Sequence, residues 1–211
     1  MKIVAFEFLT LDGVMQAPAR PDEDPRGGFE HGGWALPYGD SVMGEASGKS
    51  MASGGALLLG RRTYEDFFSV WPNRTDNPYT EVLNRSQKYV ASTTLKEPLP
   101  WVNSTLLKDD AGDAVAKLRE QPGKDLVILG SGALVQSLMP RNLIDEFVLL
   151  IHPIILGSGR HLFADGLSAI PLRLSDTTTT PKGVVIATYS RSAPTEAAAT
   201  SGRQSASIGD R

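Results

Sequence analysis

The apolar residues of this chain come in short blocks separated by glycine, proline and charge. The first block, Lys2 to Thr10, is apolar at most positions, is interrupted by Glu7, and is turned by Leu11-Asp12-Gly13. It reads as a strand. Ala56-Leu57-Leu58-Leu59-Gly60, Lys88 to Ser92, residues 104 to 107, Leu126 to Leu129 and Phe147 to Ile155 read as further strands. Segments of helical character lie between them: 40 to 53, about 63 to 70, Thr80 to Asn84, Asp110 to Gln121 and Ala133 to Met139. Pro122-Gly123 ends the fourth of these helices. Two last strands, about 171 to 180 and 183 to 190, are joined by Pro181-Lys182-Gly183 as a hairpin. Continuous apolar strands alternating with helices predict an α/β fold of three layers. Its central sheet is expected to be mostly parallel, with an antiparallel C-terminal edge hairpin.

Between Gln16 and Gly39 the periodicity stops, and proline, glycine and charge take over. A loop of this length inside a compact domain is usually functional or mobile. After Arg191, Ser, Ala, Thr and Gly dominate without any apolar period. Residues 1–191 are therefore expected to form one domain and 192–211 a disordered tail.

Composition narrows the function classes. With 211 residues and 41% hydrophobic content, one domain with a real core is expected. The charge is nearly balanced, 21 basic against 24 acidic residues, which argues against nucleic acid or a membrane surface as partner. There is no cysteine, hence no disulfide framework, thiolate zinc site or cysteine nucleophile, which fits a cytoplasmic location. The stretch Ile3 to Leu9 is too short and polar for a signal peptide, and no apolar run reaches the ~20 residues of a membrane span. The three histidines, His31, His152 and His161, show no metal-ligand spacing, so no metal is expected.

The strongest candidate for chemistry is Leu59-Gly60-Arg61-Arg62-Thr63-Tyr64-Glu65. A buried strand turns through glycine into a helix start carrying two guanidinium groups, and Thr63 with Asp66 three residues on suggests a capping pair. Free backbone N–H groups, the helix dipole and the arginines would together hold an anion, phosphate above all. Gly130-Ser131-Gly132 follows another buried strand and precedes a helix. Strand ends of this kind bind ligands in open α/β sheets, although a tight turn alone would look the same. It is not the dinucleotide fingerprint, since Val135 stands at the third glycine position. Ser92, Thr93 and Thr94 end a strand with hydroxyls that could serve a phosphate or cap a turn. Met43 to Ser50 falls one residue short of a P-loop and reads as polar helix. Asp12 and Asp40 could orient or protonate a substrate, or simply cap turns and helices.

Taken in order, these segments resemble the dihydrofolate reductase fold. They resemble still more the C-terminal reductase domain of riboflavin biosynthesis enzymes, the RibD C-terminal family, over roughly residues 2 to 190. The resemblance is carried by Thr10-Leu11-Asp12-Gly13, Gly27-Gly28-Phe29-Glu30-His31-Gly32-Gly33-Trp34 and Leu59 to Glu65. Leu129-Gly130-Ser131-Gly132-Ala133-Leu134 and His152-Pro153-Ile154-Ile155-Leu156-Gly157-Ser158-Gly159 complete it. It implies an NADPH-dependent oxidoreductase, with NADH as the alternative cofactor. The cofactor would be held by Gly60, Arg61, Arg62, Thr63, Ser92, Thr93, Gly130, Ser131, Gly132, Ala133 and Leu134. Asp12 and Asp40 would be the catalytic candidates, with Gly13, Trp34 and Gly157 at the substrate. That substrate would be pterin-like, pyrimidine-like of the 5-amino-6-(5-phosphoribosylamino)uracil type, or another small polar molecule receiving hydride. The family also implies a homodimer, and the long apolar strand 147 to 155 with the last hairpin is the candidate interface. The alternative is a protein of the same fold that binds a nucleotide or other ligand without turning it over.

Overall fold

The computed structural model describes residues 1–77 and 79–192. The expected tail at 192–211 lies, apart from Ser192, outside the described residues. Eight strands form one sheet: β1 (Ile3–Thr10), β2 (Gly54–Gly60), β3 (Gln87–Ala91), β4 (Ser104–Leu107), β5 (Asp125–Leu129), β6 (Glu146–His152), β7 (Leu172–Thr179) and β8 (Val185–Arg191). Their order is β4-β3-β2-β5-β1-β6-β8-β7, and pairing is parallel from β4 to β6 and antiparallel from β6 onward. The mostly parallel sheet with an antiparallel C-terminal edge is thus the observed architecture.

Helices α1 (Ser41–Ser53), α2 (Arg61–Val70), α3 (Tyr79–Arg85), α4 (Ala111–Arg119) and α5 (Gly132–Leu138) connect the strands. Chain direction decides which face each one covers. The connections from β1 to β2 to β3 to β4 step toward one edge, whereas those from β4 to β5 and from β5 to β6 step back. Right-handed crossovers put the two groups on opposite faces. The core divides accordingly, because strand residues alternate between faces. Ile3, Ala5 and Leu9 of β1 and Leu58 of β2 pack with Val115, Leu118, Leu134 and Leu138 of α4 and α5. Phe6, Leu57 and Leu59 pack with Tyr64 and Leu83 of α2 and α3.

Several expectations are refined. The sixth strand stops at His152 rather than Ile155, because Pro153 has no N–H to donate to the ladder. β6 is also paired on both sides, by β1 and β8. Of the expected dimer elements only β7 therefore offers a free sheet edge. The second helix begins at Arg61, with Gly60 as its N-cap and no side-chain cap bond. Thr63 lies inside that helix and Asp66 pairs with Arg20, so the two do not form the expected cap. The 16–39 segment packs a small core of its own, with Val14, Ala17, Phe29, Trp34 and Ala35 all buried.

Candidate functional site

β2 and β5 are neighbours in the sheet, yet they leave it in opposite directions, β2 into α2 on one face and β5 into α5 on the other. Open α/β sheets bind their ligands at such a switch point. Its two lips are the Gly60–Thr63 and Gly130–Leu134 segments, about 70 residues apart in sequence and tied directly. The Gly60 amide donates to Ser131 Oγ at 3.0 Å, and the Thr63 hydroxyl donates to the Gly130 carbonyl at 3.1 Å. Gly130 makes the turn at φ 58°, a left-handed conformation that glycine adopts without strain. Ser131 and Gly132 are buried behind it; Gly130 and Ala133 are exposed on the lip, and Leu134 points into the core.

Arg61 forms an i,i+4 pair with Glu65 at 2.9 Å. Arg62 is exposed and has no ion-pair partner among the described residues, so its guanidinium stands free at the rim. Ser92 follows β3, the neighbour of β2, and its hydroxyl oxygen accepts from the amides of Thr94 (3.1 Å) and Leu95 (3.0 Å). Thr93 is exposed beside it. The sheet thus brings Gly60 to Thr63, Ser92 and Gly130 to Leu134 to one end. The donor set there, two guanidinium groups, a serine hydroxyl and an uncapped helix start, has the chemistry of a phosphate-bearing ligand site.

Asp12 lies beyond the end of β1. Its carboxylate accepts from the Thr10 hydroxyl at 2.5 Å and from the amides of Gly157 at 2.8 Å and Leu156 at 3.2 Å. The Thr10 hydroxyl, helped by those amides, holds it below the usual carboxylate range. Gly13 and Gly157 take φ of 83° and 71° on either side of this contact. Asp40 caps α1, accepting from the Met43 amide at 2.9 Å. That bond, with the Thr180 hydroxyl and Lys182 nearby, lowers its pKa as well. Trp34 is buried, donates its indole N–H to the Gln16 carbonyl at 2.7 Å, and stands edge-on to His152 with ring centroids 5.0 Å apart.

Two groups near these strand ends escaped the sequence reading. His152 is fully buried between Phe8, Trp34 and Tyr38. Its Nδ1 lies 2.9 Å from the Leu150 carbonyl while Nε2 has no partner, and burial lowers its pKa. Glu7 is 1% exposed and its Oε1 has no partner. Burial raises its pKa to about 8, with the amides of Ser131 and Gly130 acting in the opposite direction. The signal was its position: Glu7 interrupts an apolar strand at a site where alternation with Ala5 and Leu9 points inward. A shallow cavity of about 590 Å³ between Gln87, Pro98, Trp101 and Thr105 lies at the β3–β4 edge and includes none of the site residues.

Comparison with known proteins agrees with this fold. The chain is 33% identical over 141 residues to the uncharacterised protein YyaP of Bacillus subtilis, covering 63% of this chain and 72% of the relative. It is 34% identical over 121 residues to YwjB of the same organism, covering 57% and 65%. Among solved structures, a candidate riboflavin biosynthesis protein from Shewanella sp. PV-4 superposes with a TM-score of 0.66 at 23% identity, over 92% of this chain and all of that one. A pyrimidine reductase-like protein from Corynebacterium diphtheriae gives 0.62 at 13%, over 92% of each chain. Dihydrofolate reductase from Enterococcus faecalis, complexed with NADP(H), gives 0.57 at 15%, over 90% of this chain and 96% of that one. Residues 1–186 match the RibD C-terminal domain, and the chain belongs to that reductase-type family.

Proposed function

We propose that this protein is an NAD(P)H-dependent reductase acting on a small polar substrate with a reducible C=N or C=O group, of pterin-like or pyrimidine-like shape. The observation that carries the reading is the pair of turns at Gly60 and Gly130, bonded together where β2 and β5 part, with Arg62 exposed at the start of α2. When bound there, the nicotinamide cofactor would supply hydride. The chain would bind its phosphates through Arg61, Arg62, Thr63, Ser92 and the exposed lip at Gly130 and Ala133, and would orient the substrate. Asp12 and Asp40 both face amide or hydroxyl donors and are both held ionised. They therefore serve as acceptors that orient a polar N–H or O–H, and a proton near neutral pH comes from elsewhere. A homodimer and a cytoplasmic location belong to the same reading.

Nicotinamide fluorescence during titration with NADPH and with NADH tests it. Tight NADPH binding is expected, and Arg62→Ala should weaken it roughly tenfold or more, the scale of one charge-assisted hydrogen bond. NADH binding should change less. Equal losses for the two cofactors would remove Arg62 from the 2′-phosphate. Absence of binding by either would remove the dinucleotide reading.

A second reading is a ligand-binding protein without turnover, favoured by the absence of a proton-bearing group at Asp12 or Asp40. Oxidation of NADPH by a panel of oxidised pterins and pyrimidines separates the two. Binding without oxidation of NADPH by any of them supports the second.

A further inference from the structure

Glu7 has no part in the function proposed so far. It stands on β1 between β5 and β6, on the face that Ile3, Ala5 and Leu9 share and that α4 and α5 cover. Register places Phe6 level with Leu129 and Glu7 level with Leu149. Gly130 is the next residue along from Leu129, so Glu7 lies where β5 stops and the glycine turn begins. The amides of Ser131 and Gly130 are turned toward its carboxyl, and Oε1 is buried without a partner.

The surroundings hold no countercharge. Among the described residues no ion pair reaches Glu7; α5 and residues 126–129 of β5 carry no ionisable side chain, and the charges of α4 are paired elsewhere, Asp113 with Arg141, Lys117 with Asp109 and Arg119 with Asp145. On β6, Glu146 is at the far end and paired with Lys2, and His152 is turned to the other face with Phe8 and Trp34. The charged groups of the rim are Arg61 and Arg62 at the start of α2, Asp12 after β1, and Arg160 and His161 in the segment alongside Met15.

A carboxyl so placed has two states with opposite consequences. Neutral, it fits the apolar face and leaves the turn electrostatically open to an anion. Ionised, it sets a full negative charge beneath that turn, in a medium that screens poorly. We propose that Glu7 is a positioning residue of this site: neutral, it supports the Gly130–Gly132 turn for an anionic dinucleotide, and ionised, it turns that ligand away. The inference rests on the dinucleotide reading above. The raised pKa, about 8, places the change of state within an accessible range. Binding of the anion and binding of the proton then favour each other.

The test is NADPH affinity from about pH 6.5 to 9.5 in the wild type and in Glu7→Gln, the neutral isostere. Wild-type affinity should hold to about pH 7.5 and then fall by up to about tenfold per pH unit. Glu7→Gln should keep its affinity across the range. Calorimetry in buffers of different ionisation enthalpy should show the wild type taking up about half a proton per site at pH 8, beyond any uptake by the variant. Matching pH profiles in the two proteins overturn the proposal, and so does binding without proton uptake at pH 8. That second result needs no variant and decides the matter even where Glu7→Gln fails to fold. A wild type that binds neither NADPH nor NADH at pH 6.5 ends the dinucleotide reading and this inference with it. Binding with an unaltered profile removes Glu7 alone.

Discussion

At Asp12 three donors converge on one half-exposed carboxylate: the Thr10 hydroxyl and the amides of Leu156 and Gly157. This ties the turn after β1 to the segment after β6 across the mouth of the sheet. In Asp12→Asn one oxygen remains for the Leu156 and Gly157 amides and the NH2 group faces the Thr10 hydroxyl, which must then accept rather than donate, so the charge-assisted strength of all three bonds is lost. About 1 kcal/mol of stability should go with it, seen as a lower melting temperature. Asp12 is ionised throughout the neutral range, so the pH optimum of any turnover should stay where it is; a shifted optimum would show that Asp12 carries the transferred proton. Legibility at this scale follows from where a residue's partners lie. Asp40 was readable as a helix start because its partner, the Met43 amide, is three residues away. Thr63 was misread because its partner, the Gly130 carbonyl, is brought in by the sheet. Lys88 left no signal at all. It is fully buried, and its ammonium donates to the Leu83 and Ser86 carbonyls at 2.7 Å over the Trp101 ring, groups that any sequence would supply or hide.

Among the elements, strands were legible because the central sheet is buried on both faces and each strand becomes a run of Val, Ile and Leu. The loop from 16 to 39 was not, because its order comes from backbone contacts across its own length. The Gly33 amide donates to the Ala17 carbonyl at 2.8 Å and the Ala35 amide to the Pro18 carbonyl at 3.0 Å. Gln16 holds the remainder, donating to the carbonyls of Asp24 and Arg26 and accepting from the Arg160 amide. The Arg20 guanidinium joins this loop to α2 through Asp66 at 2.5 Å, so the two elements are mechanically connected. Gly32 is the tightest point. A Cβ there would lie 2.3 Å from the Pro21 carbonyl oxygen and 2.7 Å from its carbon, and backbone cannot swing aside as a side-chain tip can. Gly32→Ala should cost about 1–3 kcal/mol. It should raise hydrogen exchange at the Gly33 and Ala35 amides while leaving the β2–β5 amides protected. Unchanged exchange at those two amides would show that the strands of the loop accommodate the methyl group.

For the whole molecule, the buried ionisable groups predict the shape of stability against pH. Glu7 binds its proton more tightly folded than unfolded, its pKa rising from 4.5 to about 8. Folding therefore loses stability from this group as pH rises through that window, and the loss is complete above about 8. His152 is opposite in sign: burial lowers its pKa below 6.5, so the unfolded chain takes its proton first and stability falls as pH drops below that value. Lys88, lowered from 10.5 to about 8 by burial, adds stability as pH rises from about 8 toward 10.5. Between roughly pH 5 and 6.5 the Glu7 and His152 contributions oppose each other. From about 6.5 to 8 Glu7 acts alone, and near 8 Lys88 begins to reverse the trend. Denaturant unfolding at half-unit steps should then show stability declining above pH 6.5 to a shallow minimum near pH 8. Glu7→Gln should abolish the decline, and His152→Phe should flatten only the acid side. A decline that survives Glu7→Gln would mean the carboxyl is already ionised in the folded protein at neutral pH. The site would then carry a fixed negative charge beneath its glycine turn, and a cationic or neutral ligand would suit it better than a dinucleotide.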